Sequence, residues 1–250
     1  GKGVEKSHTL AAKYYKRAAK LGDREGMFNY ALCLQHGKGV MADSKRAADL
    51  FKQASDMGLV EAMVNYANCL TEGFGVTENQ KEAAEYFQKA ADLGDIDGMF
   101  NFAYFCEIGK GVKQDIEQAI EYYYKAFQLG DESSTERMII CIHQLELPLE
   151  QMEHYYVYGT EAEDPECMFK YAEILKGRRE YKKSTKFYKL SAESGYEAAY
   201  FEYGNILFYG TWMAPDATKA AFYFKQAADD GNTDAAFAYG TCAYTGVGVS

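Results

Sequence analysis

Proline is nearly missing from this chain, with three residues in 250. Proline breaks helix interiors, so its scarcity fits a mostly helical chain. No apolar run is long enough to span a bilayer, and no signal-peptide pattern opens the sequence, so membrane insertion is not expected. Positive charge is also in short supply: 27 Lys and Arg stand against 37 Asp and Glu, for a net charge of −10. Phosphate backbones are held by clusters of Lys and Arg, which argues against a nucleic-acid partner. Histidine is rare too, and His8, His36, His143 and His154 lie far apart without zinc-ligand spacing. Each reads as a solvated helix residue, and no metal is expected. No Asn-x-Ser/Thr sequon occurs.

What is abundant is apolar and aromatic: 48% hydrophobic residues, including 22 Tyr and 15 Phe. They recur. Met27 to Ala62 reads MFNYALCLQHGKGVMADSKRAADLFKQASDMGLVEA, and Met63 to Gly98 reads MVNYANCLTEGFGVTENQKEAAEYFQKAADLGDIDG. A third copy starts at Met99, with Asn101, Phe102, Ala103, Gly109, Gly111, Val112, Ala119, Tyr122 and Gly130 in phase. A fixed period of this size marks a solenoid, in which each repeat buries its apolar face against its neighbours.

Within a repeat, a first helix is expected over roughly Glu25 to His36, with Tyr30, Ala31, Cys33 and Leu34 as its apolar stripe. Ala31, Ala67, Ala103, Ala172, Gly204 and Gly240 share one small-residue position that lets a neighbour approach closely. After the glycine loop, Asp43, Asn79, Asp115 and Asp216 read as N-caps of the second helix. Glu82 and Gln118 stand as capping-box partners. Paired small residues, paired aromatics and a terminal glycine follow (Gly22, Gly58, Gly94, Gly130, Gly195, Gly231), the last placed as left-handed C′ residues. The expected fold is all-α: a right-handed α-solenoid of stacked antiparallel helix pairs, like a tetratricopeptide superhelix.

Gly-x-Gly-Val, then Asp43, Arg46 and Ala47, an aromatic pair, an Ala pair and a terminal Gly together resemble the Sel-one-like repeat (SLR) family. The resemblance implies a non-catalytic adaptor that scaffolds protein complexes. Some members sit beside a kinase or ubiquitin ligase, so the alternative expectation is a regulatory segment of such a larger enzyme. Residues 1–250 read as one array. Regular repeats cover 1–134, a degenerate one 135–167, a shortened one 168–199, and regular ones 200–250. The glycine loop is replaced by Leu147-Pro148-Leu149, and Glu163 stands where the terminal glycine belongs. The chain opens and closes on the inter-helix loop, so it is expected to be a piece of a longer array.

The glycine loop is not a phosphate loop, because it follows a helix and lacks Gly-Lys-Ser/Thr. Asp95, Asp97 and Gly98 hint at a calcium loop, but Cys106 occupies the twelfth position that Glu should hold. Equivalent cysteines on stacked helices should lie about 8–10 Å apart, beyond the ~7 Å Cα reach of a disulfide. All six are therefore expected as reduced thiols, which leans towards a cytoplasmic location. No catalytic residue, cofactor site or metal site is expected. A second first-helix stripe avoids the core and is the candidate face for a protein or peptide partner on the concave side. It comprises Asn29, Leu32, Asn65, Asn68, Asn101, Tyr104, Lys170, Glu202, Asn205 and Tyr209.

Overall fold

The computed structural model of the chain describes residues 5–249. It holds fourteen helices of thirteen residues each, and no strand among the described residues. In chain order they are α1 (His8–Lys20), α2 (Arg24–His36), α3 (Ser44–Asp56), α4 (Val60–Glu72), α5 (Gln80–Asp92), α6 (Ile96–Ile108) and α7 (Ile116–Gln128). Then come α8 (Glu132–Gln144), α9 (Leu149–Glu161), α10 (Pro165–Gly177), α11 (Tyr181–Glu193), α12 (Glu197–Tyr209), α13 (Ala217–Asp229) and α14 (Thr233–Thr245). Two compact bodies divide the chain, Gly1–Cys141 and Ile142–Ser250. The opening Gly1-Lys2-Gly3-Val4 lies outside the described residues.

Asp43, Asn79, Asp115 and Asp216 cap α3, α5, α7 and α13, each accepting a backbone N–H from the third residue on. The first helix begins at Arg24, one residue before the expected start, because Asp23 caps it through the Gly26 N–H. Neither expected capping box closes in the usual way. The Asn79 amide donates to the Glu82 carboxylate, and Gln118 instead accepts from the Cys106 thiol at 3.1 Å. The six terminal glycines have φ between 81° and 94°. The left-handed region is free of penalty only for glycine.

Two ladders of rings hold the pairs together. The eighth residue of α3, α5, α7, α11 and α13 is buried: Phe51, Phe87, Tyr123, Tyr188 and Phe224. Four of these meet a ring of the preceding first helix: Phe28–Phe51, Phe100–Tyr123, Phe169–Tyr188 and Phe201–Phe224, with centroids 5.6–6.0 Å apart. The seventh residue forms the other ladder, in Tyr66–Tyr86, Phe102–Tyr122, Tyr171–Phe187 and Tyr203–Tyr223 at 4.8–5.1 Å. Edge-to-face pairs of this kind add about 0.5–1.5 kcal/mol each beyond their buried area. The small-residue position is tight at Gly204, where a Cβ would lie 2.8 Å from the Phe224 ring, and open at Gly240, where a Cβ would meet nothing within 4 Å.

The glycine loop does a second job. A Cβ on Gly39, Gly75, Gly111 or Gly248 would fall 2.1–2.2 Å from the carbonyl oxygen of the first residue of the preceding second helix: His8, Ser44, Gln80 or Ala217. Each regular repeat therefore presses bare backbone onto the repeat before it. Ordinary side chains cannot stand there.

Candidate functional site

In the first body, Asn29, Asn65 and Asn101 occupy the same position on α2, α4 and α6. Each donates its side-chain N–H to the carbonyl of the fourth residue back (Glu25, Glu61 and Asp97) at 2.8 Å. The amides thus bond within their own helices, and each is half-buried. Leu32 is half-buried and Asn68 is exposed on the same helices. Tyr104 is 37% exposed, and the Arg137 guanidinium lies 5.6 Å from its ring centroid. Arg137 is itself fixed by Glu107, a nearly buried carboxylate that pairs with it through both oxygens and accepts from the Tyr123 hydroxyl at 2.8 Å.

In the second body the glycine rule is broken. The loop after α12 runs Gly210-Thr211-Trp212, and Trp212 stands where Gly39, Gly75 and Gly111 stand in the regular repeats. It keeps the left-handed conformation, with φ 67°. Its indole replaces the missing backbone contact by stacking on Tyr181, the first residue of α11, at 4.4 Å and 6° between planes. A pocket of about 190 Å³ opens behind the stack between α10, α11 and α12. Glu202, Asn205 and Tyr209, all expected on the binding face, line it together with Lys176, Tyr188 and Trp212. Lys176 bonds Glu202 at 2.9 Å, and its ammonium sits 5.6 Å from the Tyr188 ring centroid. Tyr188 is 1% exposed, and its hydroxyl has no hydrogen-bond partner. Lys170 does not line this pocket; its ammonium lies 6.0 Å from the Phe169 ring centroid.

A model of the Sel1 repeat matches residues 1–23, 24–59, 60–95, 96–131, 165–196 and 197–232. The chain belongs to the Sel1 repeat family. Residues 132–164 carry no matched repeat, and no catalytic family is indicated. Among solved structures, it is similar to c5321, a protective antigen of uropathogenic Escherichia coli with an SLR fold (22% identity, TM-score 0.56). The match covers 99% of this chain and 62% of the antigen, so the chain spans less than two thirds of that relative. A Sel1 repeat protein from Oxalobacter formigenes is similar at 21% identity and TM-score 0.52, over 95% of this chain and 71% of that one. At these identities the likeness shows the shared repeat fold alone. No curated protein matches the chain.

One histidine departs from the reading of solvated helix residues. His143, near the end of α8, places Nε2 3.2 Å from Asp164 Oδ1 and 3.7 Å from Cys167 Sγ. No zinc-type spacing marks this group, because Asp164 lies 21 residues beyond His143 across an irregular repeat. Burial, and then the neighbouring Asp164, push the Cys167 thiol far up. Burial opposes ionisation of Asp164, but bonds from His143 and the Cys167 N–H hold its carboxyl below the ordinary range. Asp164 bonds to His143, which raises the imidazole pKa against the effect of burial. A nucleophilic triad needs a thiolate-prone cysteine and an acid on the opposite imidazole nitrogen. Here the thiol is fully buried, and both partners meet the same nitrogen. Among the described residues no helix is long and apolar enough to cross a membrane.

Proposed function

We propose that this Sel1 repeat array is a non-catalytic scaffold that binds an extended peptide segment of a partner protein along its first-helix, concave face. In the second body, the pocket behind Trp212 takes one side chain of that peptide. The observation that carries this reading is the Trp212–Tyr181 stack. Trp212 strains the backbone and forfeits the regular inter-repeat contact, and its ring walls a cavity lined by residues expected on the binding face. At about 190 Å³ the pocket is smaller than the roughly 300–1,000 Å³ of small-molecule and cofactor sites. It suits a single peptide side chain. The buried Tyr188 hydroxyl supplies a donor, and the Asn205 amide both a donor and an acceptor. In the first body, Asn29, Asn65 and Asn101 each retain a carbonyl oxygen that can accept from a peptide N–H. The six unpaired thiols fit a reducing, cytoplasmic setting.

The test is a peptide-display selection on the purified chain, followed by titration of the winning peptides. Trp212→Gly should weaken them at least tenfold by removing the pocket wall. Asn65→Ala with Asn101→Ala should weaken those that run along the first body, while the melting temperature barely moves. Selected peptides that bind both variants as well as the parent chain would overturn the assignment of this face.

A further inference from the structure

The regular repeats show what the α10 N-terminus would be without a second role. Asp23 and Asp95 cap α2 and α6 by accepting the N–H of Gly26 and Gly98. Those glycines press on the preceding second helix, where an added Cβ would lie 2.5–2.7 Å from Ala18 or Ala90. Asp164 caps α10 in the same way, through the Cys167 N–H at 2.7 Å. At this position, which is glycine in α2 and α6 and alanine in α4, α12 and α14, α10 carries a cysteine, fully buried. In α9, Gly159 takes the place of Ala18 and Ala90, an exchange that leaves room for the sulfur. His143 then adds an imidazole from α8.

Three donors of different chemistry thus converge, their ligand atoms all within 4.8 Å of one another. We propose that His143, Asp164 and Cys167 form a zinc-binding site between the end of α8 and the start of α10, with Glu166 as fourth ligand. Zinc bonds of about 2.0–2.1 Å to nitrogen or oxygen and about 2.3 Å to sulfur set tetrahedral edges of about 3.4 Å and 3.6 Å. The Nε2–Oδ1 and Nε2–Sγ separations, 3.2 Å and 3.7 Å, fall beside those values. That both partners face one nitrogen suits a shared cation at the centre of the group. Glu166 Oε2 stands 4.0 Å from the same nitrogen and closes the set with a small side-chain rotation. A thiolate, an imidazole and carboxylates favour zinc over calcium or magnesium, which take oxygen alone. The His143 side chain is 33% exposed, so an ion can enter from solvent.

Cobalt(II) is the probe, titrated into the whole chain under a phosphine reductant and then displaced by zinc. One equivalent should produce a near-ultraviolet thiolate-to-cobalt charge-transfer band with tetrahedral visible bands, and zinc should erase both. Cys167→Ser should abolish the charge-transfer band. His143→Gln, at a partly exposed position that leaves the core intact, should weaken zinc at least tenfold by calorimetry with unchanged helical content. Zinc should also raise the melting temperature of the parent chain and not of His143→Gln. The proposal fails if stoichiometric cobalt gives no charge-transfer band, if the band survives Cys167→Ser, or if His143→Gln binds zinc as the parent does.

Discussion

Tyr123 and Tyr188 occupy the same repeat position, as the eighth residues of α7 and α11, and the structure predicts opposite outcomes for the same substitution. Both rings are buried in the ladder that Phe51, Phe87 and Phe224 fill elsewhere, so phenylalanine fits each site without a change of rotamer or volume beyond one oxygen. Tyr123 donates to a carboxylate that is almost out of solvent. A hydrogen bond to a charged group contributes about 1.5–3 kcal/mol. Arg137 stays on Glu107 in the variant, so the lower half of that range applies, and Tyr123→Phe should destabilise by about 1.5–2 kcal/mol. The Tyr188 hydroxyl has no partner. An unsatisfied buried hydroxyl carries a desolvation penalty of about 1–3 kcal/mol, so Tyr188→Phe should be neutral or stabilise by up to about 1 kcal/mol. Urea unfolding followed by far-ultraviolet circular dichroism measures both. Peptides selected on the parent chain should meanwhile bind Tyr188→Phe less tightly. Equal signs for the two substitutions would refute the reasoning, as would a loss above about 1 kcal/mol at Tyr188, which would mean that the hydroxyl is bonded in the free protein.

Glu163 holds φ 59° where the other repeats place glycine, and the left-handed region costs about 1–2 kcal/mol for a residue with a Cβ. Glycine's extra unfolded-state freedom takes back about 0.5–1 kcal/mol, so Glu163→Gly should raise stability by about 0.5–1 kcal/mol in urea; a loss would show that the Glu163 side chain makes a stabilising contact. The thiols give a second measurement. Burial pushes Cys69 and Cys106 up to about 11 and Cys141 up to about 12, which leaves about 0.1% thiolate or less at pH 8. Cys33, half-buried, should react first with a disulfide reagent, and chelator with denaturant should release six thiols; finding four or two would overturn the reduced state of the chain.

Much of the fold was legible because its determinants are local and repeated. Asp43, Asn79, Asp115 and Asp216 are caps by side-chain chemistry alone, and the terminal glycines are dictated by backbone sterics. Face assignments followed from helical period, which is why Glu202, Asn205 and Tyr209 come together in one pocket. The capping boxes failed because the Asn79 and Asp115 backbone N–H groups donate instead to the carbonyls of Leu70 and Cys106, nine residues back, contacts that the local motif does not encode. The walls Tyr181 and Trp212 were missed for another reason. Trp212 sits in a loop, where period says nothing, and its meaning emerges only when the regular glycines are seen pressing on the helix before them. His143 and Cys167 lie where the period itself is lost, so register could not relate them.

The departures from the repeat are not scattered. Among the described residues, the non-glycine residues with positive φ are Glu163, Arg179 and Trp212, all in the second body. Such conformations cost about 1–3 kcal/mol each and persist where surrounding structure holds them. Glu163 immediately precedes Asp164 and fixes the turn that brings the α10 cap to His143. Arg179 ends the turn that leads into Tyr181, and Trp212 supplies the ring that Tyr181 stacks on. Glycine at 163 and 212 would restore the repeat consensus at the very places where the array carries its open pocket and its cluster of mixed donors. A solenoid needs only neighbour contacts to stand, and it can lose one of them locally without losing the rest. Strain confined to three turns is therefore tolerated, and those turns are where this array departs from a plain stack of helices.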